Sequence, residues 1–186
     1  RFAQDQGEVE RVGQGLALAA LQALEIAQPI GSGIGFATEL VTLTPRSLAE
    51  HSAPIPVPGC ESDSVAEQRK AETRAQGALL LEQLVRNGPD AIQHTFELPA
   101  WRLGDLGVVA IPGELFASLG AAIVERVDTP VLVLGYANGY VGYLVDTAAY
   151  AAGTYEAWAS PFVPGAGEMV ATHAGNALRQ VTSPCS

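Results

Sequence analysis

The sequence predicts a mixed α/β fold, a β-sheet core flanked by helices. Two kinds of segment carry that expectation. Short apolar runs bounded by turn residues, Val108-Val109-Ala110-Ile111 and Val131-Leu132-Val133-Leu134, have the length and β-branched content of strands covered on both faces. Longer segments repeat apolar residues every three to four positions, as amphipathic helices do. The two kinds alternate along 186 residues, which suits helices layered on a sheet in one domain over positions 1–186.

The first helix is expected over 7–28, where Val9, Val12, Leu16, Ala19, Ala20, Ala23 and Ala27 share one face. Pro29 and Gly31 stop it. Residues 33–44 are rich in Thr, Ile, Val and Leu and read as a strand. Four prolines (45, 54, 56 and 58) make 45–63 an extended loop. Ser64-Val65-Ala66-Glu67 has the capping-box pattern and opens a long helix, charged in its first half and apolar in its second, that Asn87-Gly88-Pro89 ends. The charged half reads as a solvated face. Ile92, His94, Phe96 and Leu98 alternate, so 91–103 is a strand with His94 half-buried in it. Asp105-Leu106-Gly107 turns the chain into the run that ends at Ile111. Pro112-Gly113-Glu114 follows, and Leu115, Phe116, Leu119, Ile123 and Val124 then repeat at helical spacing. Glu114 is therefore expected at a strand-to-helix junction, where a carboxylate complements the helix dipole. A last helix over 168–180 turns Val170, Ala174, Ala177 and Leu178 inward.

Composition narrows the function. Hydrophobic residues are 48% and charged residues 16%, the balance of a packed core rather than a disordered chain. No stretch reaches the unbroken apolar length of a membrane helix. The net charge of −10 opposes nucleic acid and anionic membrane surfaces as main partners, since both select basic patches. The chain opens on Arg1-Phe2, with neither Met nor a signal sequence, which suggests a processed subunit or a part of something longer.

The densest functional signal is Gly135-Tyr136-Ala137-Asn138-Gly139-Tyr140-Val141-Gly142-Tyr143, continued by Tyr150 and Gly153-Thr154-Tyr155-Glu156. All five tyrosines lie there, among glycines that permit tight turns and close backbone approach. A strand ends at Leu134, so these phenols sit at a carboxyl edge, where open α/β sheets bind ligands. They serve equally as packing residues with polar tips. If the two strands are neighbours, Glu114 meets Tyr140 and Tyr143 at that edge. A carboxylate and a phenolate both bind a Lewis-acidic cation, although a phenol with its ordinary pKa of about 10 needs the metal to favour ionisation. Zinc sites also draw on histidines, and His51, His94 and His173 have no metal-binding spacing. The residues alone offer half a metal site. There is no Gly-x-Ser-x-Gly elbow, and the glycines at 31, 33 and 35 precede a strand, contrary to a dinucleotide fingerprint.

At these residues the sequence resembles the neutral/alkaline ceramidase family, zinc-dependent hydrolases of N-acyl sphingosine. The likeness rests on the strand over 106–111 with Pro112-Gly113-Glu114, the tyrosine stretch, Tyr150, Gly153, Tyr155-Glu156 and Pro164-Gly165-Ala166-Gly167-Glu168 before the closing helix. Asn138-Gly139-Tyr140-Val141-Gly142-Tyr143 is similar to the bacterial ceramidase-like branch. The likeness is strong over 106–168 and weak over 45–88. It implies the C-terminal part of a catalytic domain. Glu114 and Tyr143 match the family's glutamate and tyrosine zinc ligands, and Tyr155 matches the tyrosine that stabilises the oxyanion. Tyr140 and Asn138, in the same pattern as Tyr143, are expected to meet substrate. The two histidine ligands belong to an N-terminal half absent from this sequence, so the resemblance implies that half as a partner chain or segment.

The expectation is a zinc-dependent hydrolase of an N-acyl amide, ceramide-like or a related amide or ester, secreted or in the cell envelope. The alternative is a non-catalytic secreted or envelope-associated subunit that keeps the fold without the metal. Cys60 and Cys185 fit no zinc or redox motif, and a disulfide between them and two free thiols both remain open.

Overall fold

The computed structural model describes residues 6–46, 65–86 and 94–182. The expectations for His51, Cys60, Cys185, the Ser64 cap and the stop at 87–89 lie outside them, as does most of the loop over 45–63. The chain divides into two units, Arg1–Ile30 and Gly31–Ser186.

The first unit is the helix α1 (Gln6–Glu25), close to the expected 7–28. Its apolar residues were expected to share one face, and α1 contains no buried residue. Leu18, Leu21 and Leu24 lie outside that face and are exposed too. The second half of the helix is thus apolar around most of its circumference, a pattern that suits surroundings on all sides.

The second unit is built on a four-stranded sheet. In order across it run β1 (Ile34–Thr42), β2 (Thr95–Leu103), β3 (Leu106–Ala110) and, named here out of chain order, β5 (Val131–Leu134). The first two pairings are antiparallel, and β3 and β5 are parallel. The β2–β3 turn falls at 104–105, one step earlier than expected, because Gly104 takes the left-handed conformation (φ 63°) that so tight a turn requires. Leu106 and Gly107 consequently belong to β3. His94 precedes β2 and is exposed, not half-buried.

One face of the sheet is covered by α6 (Ala166–Thr182), which packs on β1, β2 and β3. Val170, Ala171, Ala174, Ala177 and Leu178 are its buried face, matching the expected inward set. The small residues let the helix axis approach the sheet. Each fully buried Val or Leu contributes about 1.5–3 kcal/mol. Opposite them lie Val41, Phe96, Leu98, Ala100 and Val109. His173 of α6 also reaches the sheet, with Nδ1 3.0 Å from Glu39 Oε2.

Between β3 and β5 come a two-residue strand, β4 (Glu114–Leu115), and α3 (Ala117–Val124), which buries Leu119 and Ile123. After β5 come β6 (Tyr143–Leu144), α4 (Thr147–Ala152) and α5 (Tyr155–Ala159). The helix α2 (Val65–Arg86) packs on α5. Its charged Arg69, Glu72 and Arg74 are exposed, as a solvated face should be. Leu81 is its fully buried residue.

Two sequence expectations are corrected. The run 131–134 is not covered on both faces: β5 is an edge strand with Leu132 and Leu134 exposed, because no layer among the described residues lies over that face. Glu114 is not in the first turn of a helix. It pairs in β4, and α3 starts only at Ala117. β6, α4 and α5 were not anticipated, being too short for periodicity to register.

Gly167 marks where α6 meets the site's support. A Cβ there would collide with the Val145 carbonyl oxygen and the Leu119 side chain. Gly167→Ala should therefore cost about 1–3 kcal/mol, the range for overpacking. Urea unfolding will show a lower midpoint; an unchanged midpoint would refute this account of the α6 docking.

Candidate functional site

Residues 134–144 lie along 111–116 and are laced to them through main-chain bonds. Ile111 N donates to Leu134 O (2.8 Å), Ala137 N to Ile111 O (3.0 Å) and Tyr136 N to Gly113 O (3.1 Å). Val141 N donates to Pro112 O (2.6 Å), Glu114 N to Gly142 O (2.9 Å) and Phe116 N to Leu144 O (3.1 Å). The outcome is a parallel pairing of β4 and β6 in which Glu114 stands opposite Tyr143. Paired strands run about 4.8 Å apart, so the carboxylate and the phenol leave the backbone as neighbours.

Backbone conformation then gathers the other phenols. Tyr136 (φ 53°) and Asn138 (φ 65°) are both left-handed. That is ordinary for Asn and an outlier for Tyr, of the kind that persists where surrounding structure enforces it. The Tyr136 and Tyr140 rings stack at 5.7 Å with 10° between planes. Tyr140 OH donates to Glu114 Oε1 at 2.5 Å. The Tyr143 and Tyr155 rings meet edge-to-face at 5.9 Å. The Asn138 amide donates to the Glu97 carbonyl at 3.4 Å, which ties its loop to β2.

A polar relay holds Tyr143 from behind. Ser160 is buried, and its Oγ donates to the Tyr143 carbonyl (2.9 Å). The Tyr150 hydroxyl lies 3.0 Å from Ser160 Oγ and donates to the Phe162 carbonyl (2.8 Å). Arg46 packs over the Tyr150 ring, 5.6 Å from its centroid, and donates to the Ala157 carbonyl (2.7 Å). The short helices are capped locally. Asp146 accepts from Ala149 N at the start of α4, Gly153 closes it in the left-handed conformation, and Thr154 accepts from Ala157 N at the start of α5. These caps present Tyr155 at the first position of α5, facing Tyr143.

The electrostatics follow from one carboxylate among phenols. Burial first, then the Glu114 charge and Tyr155, pushes the Tyr143 phenol up to about 12. Burial and the hydrogen bond to Glu114 raise Tyr140 further. The hydrogen bond to Glu114 is the main cause that raises Tyr136. All three are neutral donors at pH 7.

Of the residues expected at the site, Glu114, Tyr140, Tyr143 and Tyr155 come together, whereas Asn138 is joined to β2 through the Glu97 carbonyl. Tyr136 and Ser160 are additions. Tyr136 lay within the tyrosine run, but its unusual backbone conformation has no signature in residue type. Ser160 is 17 positions from Tyr143, and no local pattern joins them. No histidine reaches this cluster among the described residues: His94 precedes β2 and His173 pairs with Glu39. The described residues include no group of three or more His, Cys, Asp or Glu able to hold a metal. The cluster supplies oxygen donors only. Glu114 and Tyr143 fit two positions of a four-coordinate zinc shell, and the nitrogen donors would have to come from elsewhere.

Two outcomes follow. A Cβ on Gly113 would lie 2.7 Å from Gly142 O and 3.0 Å from a Leu144 methyl carbon. Gly113→Ala should thus pry β4 from β6 at a cost of about 1–3 kcal/mol, seen as a lower urea midpoint and loss of the Glu114–Tyr143 pairing by NMR. The second concerns alkali. Tyr143 is protonated in folded and unfolded chains below pH 10. Above it the unfolded chain releases its proton first, so stability should fall from pH 10 to about 12. In Glu114→Gln the fall in urea midpoint between pH 9 and 11 should be smaller; an equal fall would discount the carboxylate as a cause.

No protein-family model matches the chain, and no characterised protein sequence matches it. Solved structures do. The chain is similar to the crystal structure of neutral ceramidase from Pseudomonas aeruginosa, with 17% identity and a TM-score of 0.55, over 90% of this chain and 32% of that one. It is also similar to a ceramidase complexed with C2, with 16% identity and a TM-score of 0.57, over 90% of this chain and 34% of that one. The chain thus spans about a third of the structures it matches, and its fold is that of a portion of bacterial neutral ceramidase.

Proposed function

We propose that this chain is part of a zinc-dependent hydrolase of an N-acyl amide, ceramide-like or a related amide or ester. The observation that carries the reading is the pairing of Glu114 with Tyr143 on β4 and β6, with Tyr155 edge-on to Tyr143. The ceramidase fold supports it at the level of reaction class. We further propose an N-terminal half, in the same or a separate chain, as the partner that brings two imidazole donors. A secreted or cell-envelope location accompanies this reading; among the described residues no helix is long and apolar enough to cross a membrane.

Glu114 and Tyr143 would hold zinc, which when bound lowers the pKa of a water and polarises the acyl carbonyl. The remaining work falls to this chain. Tyr140 donates to one oxygen of Glu114 and leaves the carboxylate further acceptor capacity, since two oxygens offer about four lone-pair sites. Tyr155, held at the start of α5 against Tyr143, donates its phenolic hydrogen to the oxygen that becomes negative when water adds to the carbonyl. Collapse then breaks the C–N bond; the leaving nitrogen takes up both protons of the added water, one of them by way of solvent, so the products are a carboxylate and an ammonium. Tyr140 and Asn138 are exposed on the loop that carries Tyr136, and we assign them to substrate contact.

A non-catalytic subunit is the second reading, favoured by a donor set of oxygens alone. Metal analysis and acyl-amide hydrolysis, measured on the protein purified with its partner segment, separate the two. Glu114→Ala should lose zinc and activity together. Tyr155→Phe should keep zinc and lose about 10²–10³ in turnover, the scale for one oxyanion donor. Undiminished hydrolysis by Glu114→Ala at low free zinc would sink the ligand assignment, and zinc-free wild-type protein would favour the non-catalytic reading.

A further inference from the structure

The sheet has a second face, and its composition is unusual for one in contact with water. Strand register aligns Phe36 with Trp101, Trp101 with Val108, and Val108 with Leu132, one apolar row across all four strands. Phe36 and Trp101 touch, with ring centroids 5.9 Å apart. Beside the row lie Ile34, Leu40 and Leu134. Phe36 is 62% exposed, Ile34 78%, Leu40 66%, Leu132 50% and Leu134 43%, whereas in the middle of the row Trp101 is half-buried and Val108 buried. An antiparallel sheet with one solvated face normally turns polar residues outward. Here polar residues occupy that face only at Thr38 and at the Thr42, Thr95 and Glu97 end, and Glu97 is the one charged residue among the strand positions on it.

We infer that this face is the docking surface for the polypeptide that completes the ceramidase-like domain. The inference rests on the partner proposed above and gives it a place. Three observations select that occupant. The structures this chain resembles carry about two thirds of their length outside the matched portion, while 90% of this chain is matched. Near-absence of charge on the apolar rows suits an apolar protein layer and offers nothing to an ionic ligand. Finally, β3 and β5 run directly from this face into the site: Ala110 and Leu134 are paired, Glu114 follows the first by four residues and Tyr136 the second by two. A segment seated on Leu132 and Leu134 therefore passes next to the residues that lack nitrogen donors.

The test is cysteine accessibility in the longest natural polypeptide that contains this sequence. Phe36→Cys and Leu132→Cys are labelled with a maleimide and compared with Ala121→Cys on the exposed surface of α3, with peptide masses separating each from Cys60 and Cys185. Labelling at 36 and 132 should be about tenfold slower or more than at 121, since reaction must await local opening, and denaturant should abolish the difference. Equal rates at all three positions overturn the inference, as does a purified protein of 19.3 kDa labelled freely at 36 and 132. Protection that fades on dilution assigns the face to a second copy of the chain and also overturns it. Should the cysteine variants fail to fold, hydroxyl-radical oxidation of Trp101 and Phe36 in unaltered protein reads the same surface. None of these readouts depends on zinc or hydrolysis, so the docking surface can fail while the hydrolase reading stands, and the reverse.

Discussion

The lacing of 134–144 onto 111–116 is the constraint on which the site depends. It uses main-chain groups, so the side chains remain free to be functional. It also solves a geometric problem. β3 and β5 end at the same sheet edge, yet their extensions must stay close for another ten residues without a regular ladder. Gly113 and Gly142 make that possible, because their backbones approach too closely for a Cβ at Gly113, and Gly142 needs φ +96°. Once the two segments are joined, Glu114 and Tyr143 are neighbours whatever their side chains do.

Much of this was legible in residue types, and the limits are physical. α6 was readable because Val170, Ala174, Ala177 and Leu178 share a helical face that the sheet covers. The convergence of Glu114 with Tyr143 was readable because each follows a strand-like run, and parallel strands end at one edge. The position of β5 was not. A run such as Val-Leu-Val-Leu reads as doubly buried from its composition, yet its Leu132 and Leu134 are exposed, and no described residue covers that face. Glu114 looked like a helix cap because Pro112-Gly113 precedes a helical pattern; two residues of strand pairing intervened, and periodicity cannot register two residues. The Tyr150–Ser160–Tyr143 relay is a tertiary contact with no local sequence signature.

α1 and the open sheet face, each taken by itself, present the same imbalance. A helix apolar around most of its circumference gains little in water from propensity alone, since packing supplies most helical stability. A one-sided sheet with Phe36, Leu40 and Leu132 outward forgoes burial that each side chain could supply at about 1.5–3 kcal/mol.

The same incompleteness marks the chemistry. Glu114 has phenols as donors, and Tyr136, Tyr140 and Tyr143 become harder to ionise in part because the carboxylate is there. Tyr143, raised to about 12 by burial first and by the Glu114 charge second, is a poor anionic ligand at neutral pH. A divalent cation reverses the sign of the interaction: it lowers the energy of carboxylate and phenolate together, and so couples the two groups that otherwise oppose each other's charge. Without a cation, Tyr136, Tyr140 and Tyr143 stay protonated at neutral pH and Tyr140 donates to the carboxylate. On the proposed reading the cluster would become a ligand set when positive charge and nitrogen donors arrive together. On that proposed reading, the apolar sheet face and the oxygen-donor cluster would be two consequences of one division, in which this portion of the fold holds the oxygens and a segment seated on β5 would hold the rest.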